Sequence, residues 1–255
     1  MKREAALLFL ETLARAAGDV ILPYFQRPDL AVESKSDLTP VTAADRKAEQ
    51  VMRALIEKHH PTHGILGEEY GEKNPGAEFV WVLDPIDGTK SFVAGVPLFG
   101  VLLGLLHEGR PLAGCIFQPV LEEICLGDGE TTTLNGRQVR VRENVPLERA
   151  LVLATDPAGV EVHQEFAPFE QLRQRAGLFR TWGDCYGYLM VAAGRADVML
   201  DPVMNPWDLL PLIPVIRGAG GQITSWSGGD AVDSAVAAAP GLHPEVISIL
   251  SGKKS

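Results

Sequence analysis

A chain of 255 residues, 46% hydrophobic and 22% charged, is long enough to bury one large core or two packed lobes, and its composition is that of an ordinary globular protein. The formal net charge of −10 excludes a surface built to grip a nucleic-acid backbone, which needs basic patches. It leaves room for a phosphorylated small molecule, provided a divalent cation supplies the positive charge.

Residues 4–25 carry Leu7, Leu10, Leu13, Ala14, Ala17 and Ile21 at helical spacing, so the chain is expected to open with a helix. Lys2 and Arg3 ahead of "EAALLFLETLA" resemble a signal peptide only superficially. Glu4 and Glu11 interrupt the apolar run, and an amphipathic helix fits better. "RPDLAVESKSDLTPVT" is polar and turn-rich; Thr42 then reads as the N-cap of a second helix, with Ala48, Val51, Leu55 and Ile56 on one face and a stop before Pro61. "GILGEEYGEKNPG" reads as a strand end and loop, followed by the strand "FVWVLD". "FGVLLGLLHEGRPLAGCIFQPVLEEICLG" reads as consecutive strands with a turn at "HEGRP", and Asn135-Gly136 is a hairpin signal. The longest uncharged stretch, 91–106, contains Pro97 and three glycines and is too short for a membrane span.

From about residue 146 the order alternates: strand 150–154, helix 162–176, strand 178–181, helix 184–194, strand 197–200, helix 208–218 and strand 221–225. That divides the chain into an N-terminal α+β lobe, 1–145, and a C-terminal α/β lobe, 146–255, with no linker between them and one compact unit expected. Cys115, Cys125 and Cys185 fall at no CxxC spacing and read as free thiols in a reducing, cytoplasmic setting.

The acids at element ends carry the chemistry. Glu68 and Glu69 follow "ILG", Asp84 and Asp87 follow "FVWVL", and Asp208 follows "MNPW" at a helix start. Magnesium takes oxygen ligands, usually one or two carboxylates completed by water and substrate phosphate. Asp-x-x-Asp on a tight turn lets both acids face one point, with the Ile86 carbonyl between them. Gly88 allows close backbone approach, and the amides of Gly88 and Thr89 can point at a phosphate. Each feature alone has a plainer reading. An Asp before a helix is usually a cap, "GEE" a solvated face, and D-x-x-D-G a turn.

Together, "GEE", "DPIDGT", "WD" and "GAGG", with "PVTAADRKAE" upstream, resemble the inositol monophosphatase superfamily of metal-dependent phosphatases over nearly the whole chain. The resemblance implies a layered α-β-α-β-α sandwich of the α+β class, commonly dimeric. It places Glu68, Asp84 and the Ile86 carbonyl around a first Mg²⁺, Asp84, Asp87 and Asp208 around a second, and a third, weaker cation near Glu68. Thr89, with Asp45 behind it, then orients a metal-polarised water, and Thr89, Glu68 and Asp45 form the catalytic group. Gly88 and Thr89 hold the phosphate. The substrate is expected to be a small phosphorylated metabolite, with neither nucleic acid nor membrane as partner.

"DGTKSF", "GCIFQPVLEE" and "WGDCYGYLMVAAGRADV" are similar to the histidinol-phosphatase branch, where inositol enzymes usually continue with Thr-Asn-Phe. On that resemblance Asp184 and Asp201 face the alcohol-bearing part of histidinol phosphate, alongside Asp87, Lys90 and Asp208. Two carboxylates suit an amine or imidazole cation better than a polyol. Several plainer readings stand beside these. Asp184 is otherwise a helix cap, Asp201 a strand terminator before Pro202, and Lys90 a solvated charge. His59, His60 and His63 read as surface residues complementing a helix end, and Trp207 as packing. Inositol-1-phosphate hydrolysis is the alternative activity, and a catalytically dead metal- or phosphate-binding regulator is the alternative class.

Overall fold

Leu10, Leu13, Ala14, Ala17 and Ile21 become the buried stripe of α1 (Arg3–Ile21) in the computed structural model, which describes residues 1–28, 31–34 and 40–252. Part of the turn-rich stretch, 29–30 and 35–39, lies outside the described residues. What is described there is an antiparallel ribbon of β1 (Val32–Ser34) and β2 (Pro40–Thr42). Thr42 caps α2 (Ala43–His59) as its sequence position predicts. Its hydroxyl accepts from the Ala44 amide at 3.1 Å, and the Asp45 carboxylate accepts from the Thr42 amide at 2.8 Å.

Both helices pack on one face of an eight-stranded sheet. Its strands are β3 (Gly64–Gly67), β4 (Gly71–Lys73), β5 (Phe79–Asp87), β6 (Gly100–His107), β7 (Arg110–Gln118), β8 (Glu123–Gly127), β9 (Thr132–Leu134) and β10 (Arg137–Gln138), ordered β10-β9-β8-β7-β6-β5-β3-β4. A short α3 (Thr89–Val93) follows β5. Asn135 and Gly136 both take positive φ, as the two-residue hairpin between β9 and β10 requires. Among the described strands of this sheet only β3 and β5 pair in parallel, so their C-terminal ends emerge side by side. That one parallel pair sets up the site.

The rest of the chain adds β11 (Leu151–Ala154), α4 (Pro157–His163), α5 (Phe166–Arg175), β12 (Leu178–Arg180), α6 (Asp184–Ala192), β13 (Val198–Asp201), α7 (Pro206–Leu209), α8 (Leu212–Gly218), β14 (Gln222–Thr224), β15 (Ala235–Ala238) and α9 (His243–Leu250). Five of these strands form a second sheet, ordered β12-β11-β13-β15-β14. The layers run α1/α2, large sheet, α6/α7/α8, small sheet, α4/α5/α9; one apolar cluster fills each outer gap and a third spans both gaps around the middle helices. The expected α-β-α-β-α sandwich of the α+β class is the fold observed. The middle cluster is shared, with Leu102, Ile116 and Cys125 of the large sheet meeting Tyr188, Leu189, Leu212 and Ile216.

Two expected helices are each divided. The stretch 162–176 breaks at Gln164–Glu165, because Asp156 and Pro157 start α4 early and a new helix opens at Phe166. The stretch 208–218 breaks before Pro211, the N-cap of α8, while Pro206 begins α7. Among the described residues no helix is long and apolar enough to cross a membrane.

Candidate active site

Glu68 follows β3 where Asp84 sits in β5, and the Glu68 amide donates to the Leu83 carbonyl at 3.1 Å. The loop after Glu68 is tied to α2 by Glu49, a fully buried carboxylate. It accepts from the amides of Glu69 at 2.7 Å and Tyr70 at 3.2 Å, and from Arg53 Nε at 2.7 Å. Gly67 must be glycine for this approach, since a Cβ there would lie 2.1 Å from Glu49 Oε1. Glu49→Ala would leave two amides without their acceptor and the Arg53 guanidinium, whose side chain is 13% exposed, with the Gly71 carbonyl but no carboxylate. That variant is expected to lose about 3 kcal/mol, lowering Tm by roughly 10 °C in a thermal melt. An unchanged Tm would mean that something else holds the loop.

Pro85 has no amide to give the ladder, and the β5–β6 register shifts between Asp84 and Asp87. Within this irregularity the Ile86 amide donates to Asp84 Oδ1 at 3.0 Å, fixing that carboxylate. Asp87 is held from another layer, by the Cys185 amide at the N-terminus of α6. Asp208 is the third residue of α7, and its Oδ2 accepts from the Asn205 amide at 3.0 Å and from Asn205 Nδ2 at 3.2 Å. The outcome is one carboxylate oxygen each from Asp84, Asp87 and Asp208, all within 4.8 Å of one another. Gly88 then takes φ +85° to start α3, and a Cβ there would meet Asp184 Oδ2 and the Leu98 carbonyl at 2.9 Å.

Burial, then the charges of Glu68, Asp87 and Asp208, pushes the Asp84 carboxyl well above its ordinary value. Burial followed by Asp184 and Asp208 does the same to Asp87. Asp208 is raised by burial, against the Asn205 hydrogen bonds. An all-oxygen acidic set at this spacing fits a hard divalent cation, which would return every member to its charged form.

Glu68, Asp84, Ile86, Asp87, Gly88, Thr89, Lys90, Asp184 and Asp208 all line one cleft of about 600 Å³. A second cavity, about 620 Å³ against β14 and α9, has no carboxylate in its lining. Thr89 Oγ1 donates to the Ile86 carbonyl at 3.0 Å, which leaves its oxygen lone pairs free to accept. Asp184 takes φ +50°, its amide donating to Thr155 Oγ1 at 2.9 Å. Burial and then Asp201 push its carboxyl up to about 7, opposed by Lys90.

As the third residue of α2, Asp45 turns one carboxylate oxygen back to cap that helix, accepting from the Thr42 hydroxyl at 2.6 Å. One expected placement is corrected: Asp201 does not line the cleft. It is 6% exposed, and its carboxylate accepts from Tyr188 OH at 2.8 Å, with Thr155 beside it. His63 is no simple surface residue, since its Nδ1 accepts from Trp81 Nε1 at 3.1 Å and its ring stacks on His60. Trp207 packs against the cluster of Val80, Val82 and Leu106 and also lines the cleft. All three cysteines are free and buried.

The sequence reading passed over Thr155, Asp156 and Asn205 in the cleft wall and the Cys185 amide. Asn205 had a signal, an Asn three residues before Asp208 in the pattern of a capping box. The others had none, because they reach the site only through packing between layers.

Acids gathered at strand ends and helix starts in this sandwich form a cluster that could hold a metal ion, as a metal-dependent hydrolase of phosphoric monoesters requires. A sequence profile described as the inositol monophosphatase family matches residues 2–254, and the chain belongs to that family. It is 42% identical to the histidinol-phosphatase of Chlorobaculum parvum, over 85% of this chain and 84% of the relative. It is also 42% identical to the bifunctional phosphatase IMPL2, chloroplastic, of Arabidopsis thaliana, over 85% of this chain but 63% of that longer protein. Among solved structures, an inositol monophosphatase from Zymomonas mobilis superposes with a TM-score of 0.87 at 34% identity, covering 98% of this chain and 99% of its own.

Proposed function

We propose that the enzyme hydrolyses histidinol phosphate to histidinol and phosphate, with Mg²⁺ as its cation. The observation that carries this reading is Asp184, a carboxylate outside the metal cluster that lines the same cleft and sits beside Lys90. The name of the 42%-identical relative from Chlorobaculum parvum supports it. Glu68, Asp84, the Ile86 carbonyl, Asp87 and Asp208 would hold the cations. Bound there, Mg²⁺ supplies Lewis acidity that makes water nucleophilic at neutral pH and offsets phosphoryl charge. Thr89 orients the attacking water by accepting its hydrogen bond, since the Thr89 proton is already given to Ile86. The amides of Gly88 and Thr89 face the phosphate, and Asp184 pairs with the amine or imidazole of the leaving group. No side-chain nucleophile is required. The setting that goes with this reading is cytoplasmic histidine synthesis by a homodimer.

One observation favours a second reading, inositol 1-phosphate. Asp201 is withdrawn from the cleft, so fewer charges face the leaving group than its sequence position implies. Phosphate release from the two esters, side by side with Mg²⁺, separates the readings. Asp184→Asn removes a charge-assisted hydrogen bond of roughly 1.5–3 kcal/mol. It should raise KM for histidinol phosphate by about ten- to a hundredfold, and for inositol 1-phosphate by less. A ratio of kcat/KM values that does not change between wild type and variant would hand the assignment to the inositol ester.

A further inference from the structure

The turn that presents Asp184 is held from behind by groups that never reach the substrate. Tyr188 lies one helical turn beyond Asp184 on α6 and is fully buried. Its hydroxyl donates to Asp201 Oδ2 at 2.8 Å, at the end of β13. Thr155, just past the end of β11, lies beside Asp201 across the parallel β11–β13 pairing, and its polar groups favour the charged Asp201 carboxylate. The Thr155 oxygen in turn accepts the Asp184 amide at 2.9 Å. The chain of contacts thus runs from α6, through two strand ends of the small sheet, back to the first residue of α6.

Two consequences meet at that residue. Asp184 is kept at φ +50°, a left-handed conformation uncommon for a residue with a side chain, though Asp tolerates it better than most. The next amide, Cys185 N, is kept on Asp87. We infer that Tyr188, acting through Asp201 and Thr155, is a positioning residue that locks the Asp184–Cys185 turn and thereby sets how Asp184 meets the leaving group. Asp201 on this account reads no substrate. It is the carboxylate that lies between Tyr188 and Thr155, and its burial and its bond to Tyr188 are what that role needs.

Tyr188→Phe removes one hydroxyl and keeps the ring in the core, taking away the Asp201 bond together with a weaker contact to Met204 Sδ at 3.6 Å. Amide hydrogen exchange, read by NMR on the full chain without substrate, should quicken at least tenfold at Asp184 and Cys185 and stay unchanged at Val191 and Ala192. KM for histidinol phosphate should rise about tenfold in the wild-type background, with kcat within a few-fold. In the Asp184→Asn background the same change should move KM less than twofold, since Tyr188 works through Asp184. Asp201→Asn should reproduce the exchange effect, because it weakens the same acceptor.

Unchanged exchange at Asp184 and Cys185 would overturn the inference whatever the substrate. So would a Tyr188→Phe effect on KM that is absent in the wild type although Asp184→Asn raises KM, or one that is equal in both backgrounds. The kinetic arm rests on the histidinol phosphate reading. Were Asp184→Asn alone to leave KM unmoved while exchange quickened, that reading would fail and the lock on the turn would stand.

Discussion

Asp87→Asn or Asp208→Asn is expected to cut kcat by about a thousandfold, because losing several kcal/mol of transition-state charge stabilisation costs a decade per 1.36 kcal/mol. Both acids belong to the cluster of carboxylates within 4.8 Å. Asn can keep part of their local bonding. The Cys185 amide still finds an oxygen at position 87, and the Asn205 amide still finds one at 208. Chelation should abolish activity and added Mg²⁺ restore it. Activity that survives EDTA in the wild type would remove the metal assignment altogether.

Stability supplies a second readout of the same cluster. The folded values of Asp84 and Asp87 lie above the ordinary carboxylate range, with burial the main cause. For a carboxyl raised on folding, the metal-free protein has that contribution in full below the unfolded value. It loses it as pH rises through the folded value. A cation works the other way, binding the deprotonated set. The gain in Tm on adding Mg²⁺ should therefore grow as pH rises from about 5 to 8. At a hundred times Kd it should correspond to about 2.7 kcal/mol. In Asp87→Asn the gain should shrink, and the metal-free variant should melt at or above the wild type because one buried charge has been removed. A gain independent of pH would argue that the cation binds elsewhere.

Thr89→Ala is expected to lower kcat by about a hundredfold or more, the usual contribution of a positioned proton-transfer or orienting group, while KM moves little. The hydroxyl already donates to Ile86 at 3.0 Å, so what it offers the attacking water is an acceptor lone pair. An orienting contact of that kind matters mainly in the transition state, which is why the loss falls on kcat. Thr89→Ser should recover much of it. Were Thr89 no more than the first residue of α3, alanine would leave turnover near wild type and serine would rescue nothing. Under single-turnover conditions in labelled water, oxygen-18 should appear directly in the released phosphate. Label that waits on a phosphorylated side chain would point to a covalent route and refute the direct attack.

Much of the site was legible because its residues are neighbours in the chain. Asp84, Ile86, Asp87, Gly88 and Thr89 lie within six positions at the end of one apolar strand, and one irregular strand end brings them to one wall of the cleft. Asp201 shows the limit of that reading: the resemblance placed it facing the substrate, and the fold buries its carboxylate against the Tyr188 hydroxyl. The divided helices show the same limit, since Pro206 and Pro211 were visible but periodicity alone ran through them.

What the chain determined alone was its local chemistry: the helix stripe of α1, the Thr42 cap, the strand that ends in two acids, and the hairpin at Asn135-Gly136. Each depends on residues a few positions apart, where side-chain spacing and backbone preference decide the outcome. Only the tertiary structure decided that Glu68 stands beside Asp84, through the parallel pairing of β3 and β5, and that Asp208 arrives from α7 to complete the cluster. It also decided that Asp201 turns away from the cleft to Tyr188 and Thr155. A buried carboxylate goes where its hydrogen bonds can be filled, and those partners come from β11 and α6, elements that meet it only once the layers have packed.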